Sequence, residues 1–172
     1  MARLPHVAII ELGSQYTLLI ERALRELGVR SVILDPKRAA DWFKRNPLRA
    51  VILSGGASSV YDTDAPQPPD EVLSLCREDG QPIALLGICY GMQWLAQQLC
   101  GDVKAVLGNR EYGEASLRLC ATPEGFFSGT PQSQRVWMSH GDSVISPPEG
   151  FSVLARSDAD TIAAVQNGSV LG

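Results

Sequence analysis

Residues 6–12 read His-Val-Ala-Ile-Ile-Glu-Leu, an apolar run with little alternation, as expected of a strand covered on both faces. The run ends at Gly13, and Ser14 then stands where a helix cap is wanted. Leu19, Ala23, Leu24 and Leu27 follow the 3.6-residue period, and Gly28 occupies the position of a left-handed C-terminal residue. The same texture recurs: strands are expected over residues 31–34, 50–53 and 83–86, with helices over 39–45, 69–79 and 92–99. Alternation of this kind predicts a doubly wound α/β fold, a mostly parallel sheet with helices on both faces.

Beyond residue 99 the pattern changes. The remaining apolar runs, 103–107, 115–119, 135–138, 151–155 and 161–165, are short and joined by turns rich in Gly, Pro and Ser. They predict a β-rich, partly antiparallel second half. No internal repeat is visible, and the proline-rich stretch from Asp62 to Asp70 reads as a surface loop over the sheet edge, since its prolines continue neither a helix nor a central strand.

A chain of 172 residues, 45% of them hydrophobic, suits one well-cored domain spanning 1–172. No apolar run approaches the ~20 residues of a membrane-spanning helix, and the short stretch 6–10 is no secretory signal, so a cytoplasmic location is expected. Fifteen Lys and Arg, scattered among nineteen Asp and Glu, argue against capture of nucleic acid and favour a small-molecule or protein partner. The four cysteines, Cys76, Cys89, Cys100 and Cys120, form no C-x-x-C pair and have no adjacent His, so no metal site is expected. Reduced and structural, they should be buried small hydrophobes unless the backbone presents one for chemistry.

One of them is so presented. Gly87-Ile88-Cys89-Tyr90-Gly91 places G-x-C-x-G between an expected strand and an expected helix, a thiol version of the nucleophile elbow. Side chains two positions either side of the nucleophile would collide with backbone in so tight a turn, hence Gly87 and Gly91. The sulfur also sits at the positive end of the following helix, which favours the thiolate. A second turn, Ser54-Gly55-Gly56, leaves the neighbouring strand at the same sheet edge, and its N–H groups, with that of Tyr90, are placed to steady an oxyanion. As a phosphate cradle it lacks the Gly-Lys-Ser/Thr ending. Of the two histidines, His6 lies at the opposite edge; His140 ends a strand in a polar loop, where it either lines a site or is a surface residue.

In order along the chain, Glu11-Leu12-Gly13-Ser14-Gln15-Tyr16-Thr17, Leu53-Ser54-Gly55-Gly56, Gly87 to Gln93, Arg110-Glu111-Tyr112-Gly113 and Val136-Trp137-Met138-Ser139-His140-Gly141-Asp142 resemble the glutamine amidotransferase domain of the GMP synthase family. The elbow marks class I glutamine amidotransferases in general; the GSQYT and WMSHGD segments are those of this branch. The resemblance implies a flavodoxin-like fold and a Cys-His-Glu triad that hydrolyses the side-chain amide of glutamine and passes ammonia to a synthetase for amination of XMP to GMP. It assigns Cys89 as nucleophile, the N–H groups of Gly56 and Tyr90 as oxyanion donors, and Gln93 as a residue that helps hold substrate. The backbone around Ser139, His140 and Gly141 would grip the α-amino and carboxylate end of glutamine; His140 is not the triad base.

The family's base and its orienting carboxylate come from a His-Pro-Glu motif just past a final strand, whereas these residues stop at Ser169-Val170-Leu171-Gly172. A last strand and helix, and an ATP-pyrophosphatase domain as partner, are therefore expected to be missing, so that the 172 residues alone should turn glutamine over poorly. No cofactor is expected here; ATP and magnesium would belong to the synthetase part. Smaller departures are Glu11 for Asp, Leu12 for Phe and Ala57 for Pro. Two other functions fit the residues: a glutaminase subunit of another synthetase, against which WMSHGD and REYG argue, and a non-catalytic glutamine-binding or regulatory module.

Overall fold

The computed structural model describes residues 6–105, 111–121 and 125–172, with backbone alone at Glu111 and Tyr112. It divides into two compact units, Met1–Met92 and Gln93–Gly172.

The first unit is built on four parallel strands, β1 (Val7–Ile10), β2 (Ser31–Leu34), β3 (Ala50–Leu53) and β4 (Ala84–Gly87), in the order β2-β1-β3-β4. This is the flavodoxin-like order, reversing direction at β1. All four residues of β1 are buried, as its unbroken apolar run requires. Helix α1 (Thr17–Glu26) lays Ile20 and Leu24 against a cluster of Val7, Ile9 and Ile52, while Leu18, Leu19 and Leu27 stay exposed. Its end is as expected: Gly28 has φ 73°, and Val29 N–H donates to the Leu24 carbonyl in a Schellman closure. Its start is not. Tyr16 holds the cap position without a side-chain bond, and the Ser14 hydroxyl accepts from Tyr16 N–H at 3.0 Å one step earlier. Helix α2 (Pro36–Phe43) begins three residues before the expected 39, because Asp35 accepts from Lys37 N–H at 2.8 Å and Pro36 fits the first helical position.

The helix expected over 69–79 is replaced by a single 3₁₀ turn, Asp70–Ser74. Leu75 is already extended, and the chain doubles back through a Cys76–Pro82 bridge around Gly80, φ 77°. Arg77 N–H donates to Gln81 O at 2.7 Å and Ile83 N–H to Leu75 O at 3.2 Å, so backbone groups that would have closed a helix pair with the returning chain. The loop from Asp62 to Pro69 carries no regular element, with Ala65 and Pro68 buried beneath it.

Helix α3 (Tyr90–Gln98) follows β4. The second unit is antiparallel: β5 (Asp102–Ala105) pairs with β8 (Asp142–Ser146), and a sheet runs β11 (Val170–Leu171), β10 (Ile162–Asn167), β9 (Ser152–Ser157), β6 (Glu111–Leu119), β7 (Ser133–His140). Leu117, Leu119, Ala155 and Ala164 form its core. The expected run 103–107 extends past the described residues, and Arg110 lies outside them. Strand β8 has no counterpart among the expected runs, since polar Asp142 and Ser143 break the apolar pattern although both are buried.

Burial separates two neighbouring elements of the first unit in energetic terms. Ile9→Ala, at a fully buried position, should cost about 2–5 kcal/mol of unfolding free energy. Leu18→Ala, 71% exposed on α1, should change it by less than about 0.5 kcal/mol. Urea denaturation of the two variants checks the difference.

Candidate active site

Ile10, Leu53 and Gly87 stand side by side in register at the carboxyl ends of β1, β3 and β4, so the segments that follow them leave one edge together. The strand order reverses between β1 and β3, which makes this edge the natural ligand crevice of such a sheet. After β1, the Glu11 carboxylate accepts from the N–H groups of Gly13 and Ser14 at 2.7 and 2.9 Å, so Glu in this position still organises the turn.

After β4 the chain enters the elbow. Cys89 has φ 52°, a left-handed conformation that costs a side-chain-bearing residue of order 1–3 kcal/mol and persists only when its surroundings impose it. Two bonds do so: Ile88 N–H to Leu53 O and Gly91 N–H to Ile88 O, both 3.0 Å. A Cβ on Gly87 would lie 2.6 Å from Met92 N, and one on Gly91 would overlap the Leu53 carbonyl oxygen, so both flanking glycines are needed for the reason inferred from the motif. Space for a side chain at Gly55 ends 3.5 Å from Cys89 Cβ. At Gly56 a Cβ would overlap the Leu12 carbonyl oxygen and come within 3.6 Å of Tyr90 Cβ. Cys89, Gly56 and Tyr90, singled out from the sequence, are thus drawn together by backbone packing.

Tyr90 is fully buried, and its hydroxyl donates to the Pro66 carbonyl at 2.8 Å, tying the proline-rich loop to the first residue of α3. Burial pushes the phenol pKa up, and the negative charge of Asp62 adds to the effect.

The remaining predicted residues belong to the second unit. Gln93, 6% exposed, donates through Nε2 to the Asp142 carbonyl at 2.8 Å, so one of its polar ends already holds the segment that contains Ser139, His140 and Gly141. Ser139 is exposed and His140 half-buried at the end of β7. The polar loop expected around His140 is instead a one-residue junction, Gly141, between β7 and β8. The expectation of four buried thiols also fails: Cys76, Cys100 and Cys120 are exposed and Cys89 half-buried. Nothing in the sequence signals the bonds made by the Ser54 hydroxyl, the Tyr90 hydroxyl and the Asp142 carbonyl, which span 42, 24 and 49 residues and leave no local pattern.

A cavity of about 330 Å³ near Phe43, Leu48, Cys76 and Ile83 opens at the amino ends of β3 and β4, opposite the elbow. Among the described residues no cluster of three His, Cys, Asp or Glu could hold a metal ion, and no helix is long and apolar enough to cross a membrane.

A parallel α/β sheet that presents a cysteine of left-handed conformation between two obligatory glycines, beside a second glycine turn, has the geometry of a strand-turn-helix elbow with a thiol at its apex. Residues 8–170 match the class I glutamine amidotransferase family, and the chain belongs to it. It is 47% identical over 172 residues to a glutamine-hydrolysing GMP synthase of Solidesulfovibrio magneticus, covering 98% of this chain and 32% of that protein. The protein of the same name from Brachyspira hyodysenteriae is 43% identical over 161 residues, 94% of this chain and 30% of its own length. The chain therefore spans about a third of the length of these relatives. Among solved structures, a Thermoplasma acidophilum protein matches with a TM-score of 0.78 at 24% identity, over 99% of this chain and 83% of that one. A Thermotoga maritima glutamine amidotransferase matches with a TM-score of 0.72 at 22% identity, over 99% and 74%.

The Tyr90 bond generates a pH dependence. The phenol must stay protonated to donate to Pro66, and its folded pKa lies above the unfolded value of about 10. Its contribution is therefore complete below pH ~10 and is lost as pH rises through the folded pKa. Tyr90→Phe should cost about 0.5–1.5 kcal/mol at pH 7 and flatten the alkaline fall in stability, read from urea midpoints between pH 7 and 11.

Proposed function

We propose that this chain is the glutaminase module of a GMP synthase, hydrolysing glutamine through a thioester on Cys89 and releasing ammonia for amination of XMP. The observation that carries the reading is the elbow: Cys89 at φ 52°, with Gly55 against its Cβ and Gly56 against that of Tyr90. The Cys89 thiolate adds to the side-chain carboxamide carbon of glutamine, and the C=O electron pair moves onto oxygen as the C–S bond forms. The N–H groups of Gly56 and Tyr90 receive that oxyanion. Collapse of the intermediate, with a proton delivered to the nitrogen, breaks the C–N bond and expels ammonia, leaving the γ-glutamyl thioester. Water then cleaves the thioester to glutamate and regenerates the thiol. Gln93, holding the Asp142 carbonyl, sets the segment Ser139-His140-Gly141 that receives the amino-acid end of the substrate. The chain's two histidines, His6 and His140, are not assigned as the base; the family draws it from a His-Pro-Glu motif.

The GMP synthase reading, in preference to another amidotransferase, is supported by GSQYT, WMSHGD and the relatives' names at 43–47% identity. The acceptor side would be an ATP-pyrophosphatase domain or subunit that binds ATP, magnesium and XMP, corresponding to the two-thirds of those relatives that this chain does not span. The module works with it in the cytoplasm.

A chloromethyl-ketone analogue of glutamine should label Cys89 at least ~10-fold faster than the exposed Cys76, Cys100 and Cys120, and glutamine should protect Cys89 alone. Peptide mapping that finds an exposed thiol labelled as fast would overturn the assignment. In a polypeptide or complex that carries both activities, Cys89→Ala should lower glutamine-driven GMP formation by at least ~10³-fold. Ammonia-driven formation should stay within about twofold; steady-state assays with each nitrogen source check both.

A further inference from the structure

Ser54 is fully buried at the carboxyl end of β3, and its hydroxyl does two things at once. Its Oγ accepts from Leu12 N–H at 2.9 Å and donates to the Gly55 carbonyl at 3.1 Å. The Leu12 peptide is thereby held from its N–H side by Ser54. On its other side its carbonyl oxygen lies so close to Gly56 that even a methyl group there would overlap it. Leu12 itself is buried, 1% exposed, so its N–H has no access to water in place of Ser54. The loop that follows β1 therefore acts as a rail against which Gly56 rests, and Ser54 is the pin that holds the rail. A Val or Ala at position 54 would complete an apolar strand equally well, so strand formation gives no reason for a hydroxyl here. The reason lies in the bond it makes 42 residues away.

We propose that Ser54 is a positioning residue for the oxyanion donor of Gly56, acting through the Leu12 peptide. This rests on the glutaminase reading above. Without the hydroxyl, the buried Leu12 N–H loses its acceptor and the rail is free to shift; displacements near 1 Å at a reacting centre cost up to ~10²-fold in rate. Binding of the glutamine amino-acid end, assigned to the segment around His140, should be untouched.

The test compares two reagents on Cys89 in the intact 172-residue chain, in wild type, Ser54→Ala, Ser54→Thr and a control, Val51→Ala, which perturbs the same strand without touching the rail. The chloromethyl-ketone analogue of glutamine reacts by addition of the thiolate to the ketone, placing a negative oxygen in the oxyanion site. Sulfur then moves to the methylene carbon as chloride leaves and the ketone re-forms. Iodoacetamide alkylates by direct displacement of iodide and builds up no such oxygen. Ser54→Ala should lower the maximal inactivation rate by the chloroketone about 10-fold, with its half-saturating concentration and the iodoacetamide rate within twofold of wild type. Ser54→Thr, which keeps the hydroxyl, should recover most of the lost rate, and Val51→Ala should slow neither reagent selectively.

An unchanged chloroketone rate in Ser54→Ala would overturn the proposal. So would equal slowing of both reagents in Ser54→Ala and Val51→Ala, the signature of a purely structural role. If Ser54→Ala does not fold, Ser54→Thr decides: a selective loss of chloroketone rate with the hydroxyl retained contradicts the proposal, and a wild-type ratio of the two rates supports it. A wild-type chain whose Cys89 reacts with the chloroketone no faster than its exposed thiols would overturn the glutaminase reading itself, and this inference with it.

Discussion

Everything at the candidate site depends on how closely three strand ends approach one another where side chains are missing. Gly91 at the start of α3 rests on the Leu53 carbonyl, and Gly56 beyond β3 rests on the Leu12 carbonyl. Gly87 leaves no gap before Met92 N and Gly91. These contacts permit no Cβ, so they are satisfied at one arrangement of the backbone. That arrangement forces Cys89 into a left-handed conformation and points the chain directly from strand into helix. The strain of order 1–3 kcal/mol is small beside the burial of these strands, in which all of β1, Val51 to Leu53 of β3 and Leu85 of β4 are buried. A stiff parallel sheet thus supplies the force that keeps one unfavourable residue in place. The cysteine is then pre-oriented before any substrate arrives, which is where such an elbow obtains its chemical value.

The polar bonds of the edge complete the same design. Glu11 closes the turn after β1, Ser54 fastens that turn to the strand beside it, and Tyr90 fastens the first residue of α3 to the proline-rich loop through Pro66. The Glu11 bonds are local to the turn, whereas those of Ser54 and Tyr90 join segments 42 and 24 residues apart and satisfy groups inside the fold. Gln93 repeats the device in the second unit by gripping the Asp142 carbonyl.

What could be read in advance follows the range of the interaction concerned. The strands β1 to β4 were legible because a buried parallel strand writes itself as an unbroken apolar run, and the elbow because close approach demands glycine at fixed spacing. The turn at Gly55 and Gly56 does lie against Cys89 and Tyr90, at the sheet edge where those patterns put it. The segment 69–79 misled because its helical spacing was real, yet the return of the chain at Cys76–Pro82 offered its backbone better partners. Strand β8 was missed because burial of Asp142 and Ser143 depends on pairing with β5, some forty residues earlier, and not on any apolar period. The roles of Ser54 and of the Tyr90 hydroxyl were invisible for the same reason: a serine in a glycine turn and a tyrosine after a cysteine carry no mark of a distant partner.

The central claim is that the backbone packing at this edge builds an oxyanion site beside Cys89. It is tested most directly by a crystal structure of the chain with an aldehyde analogue of a γ-glutamyl group bound to Cys89 as a thiohemiacetal. The account predicts the hemiacetal oxygen within about 2.7–3.1 Å of both Gly56 N and Tyr90 N, with the backbone of Leu12, Ser54 and Gly55 unmoved. An oxygen turned toward solvent, or bound only after the turn at Gly55 and Gly56 has rearranged, would contradict it.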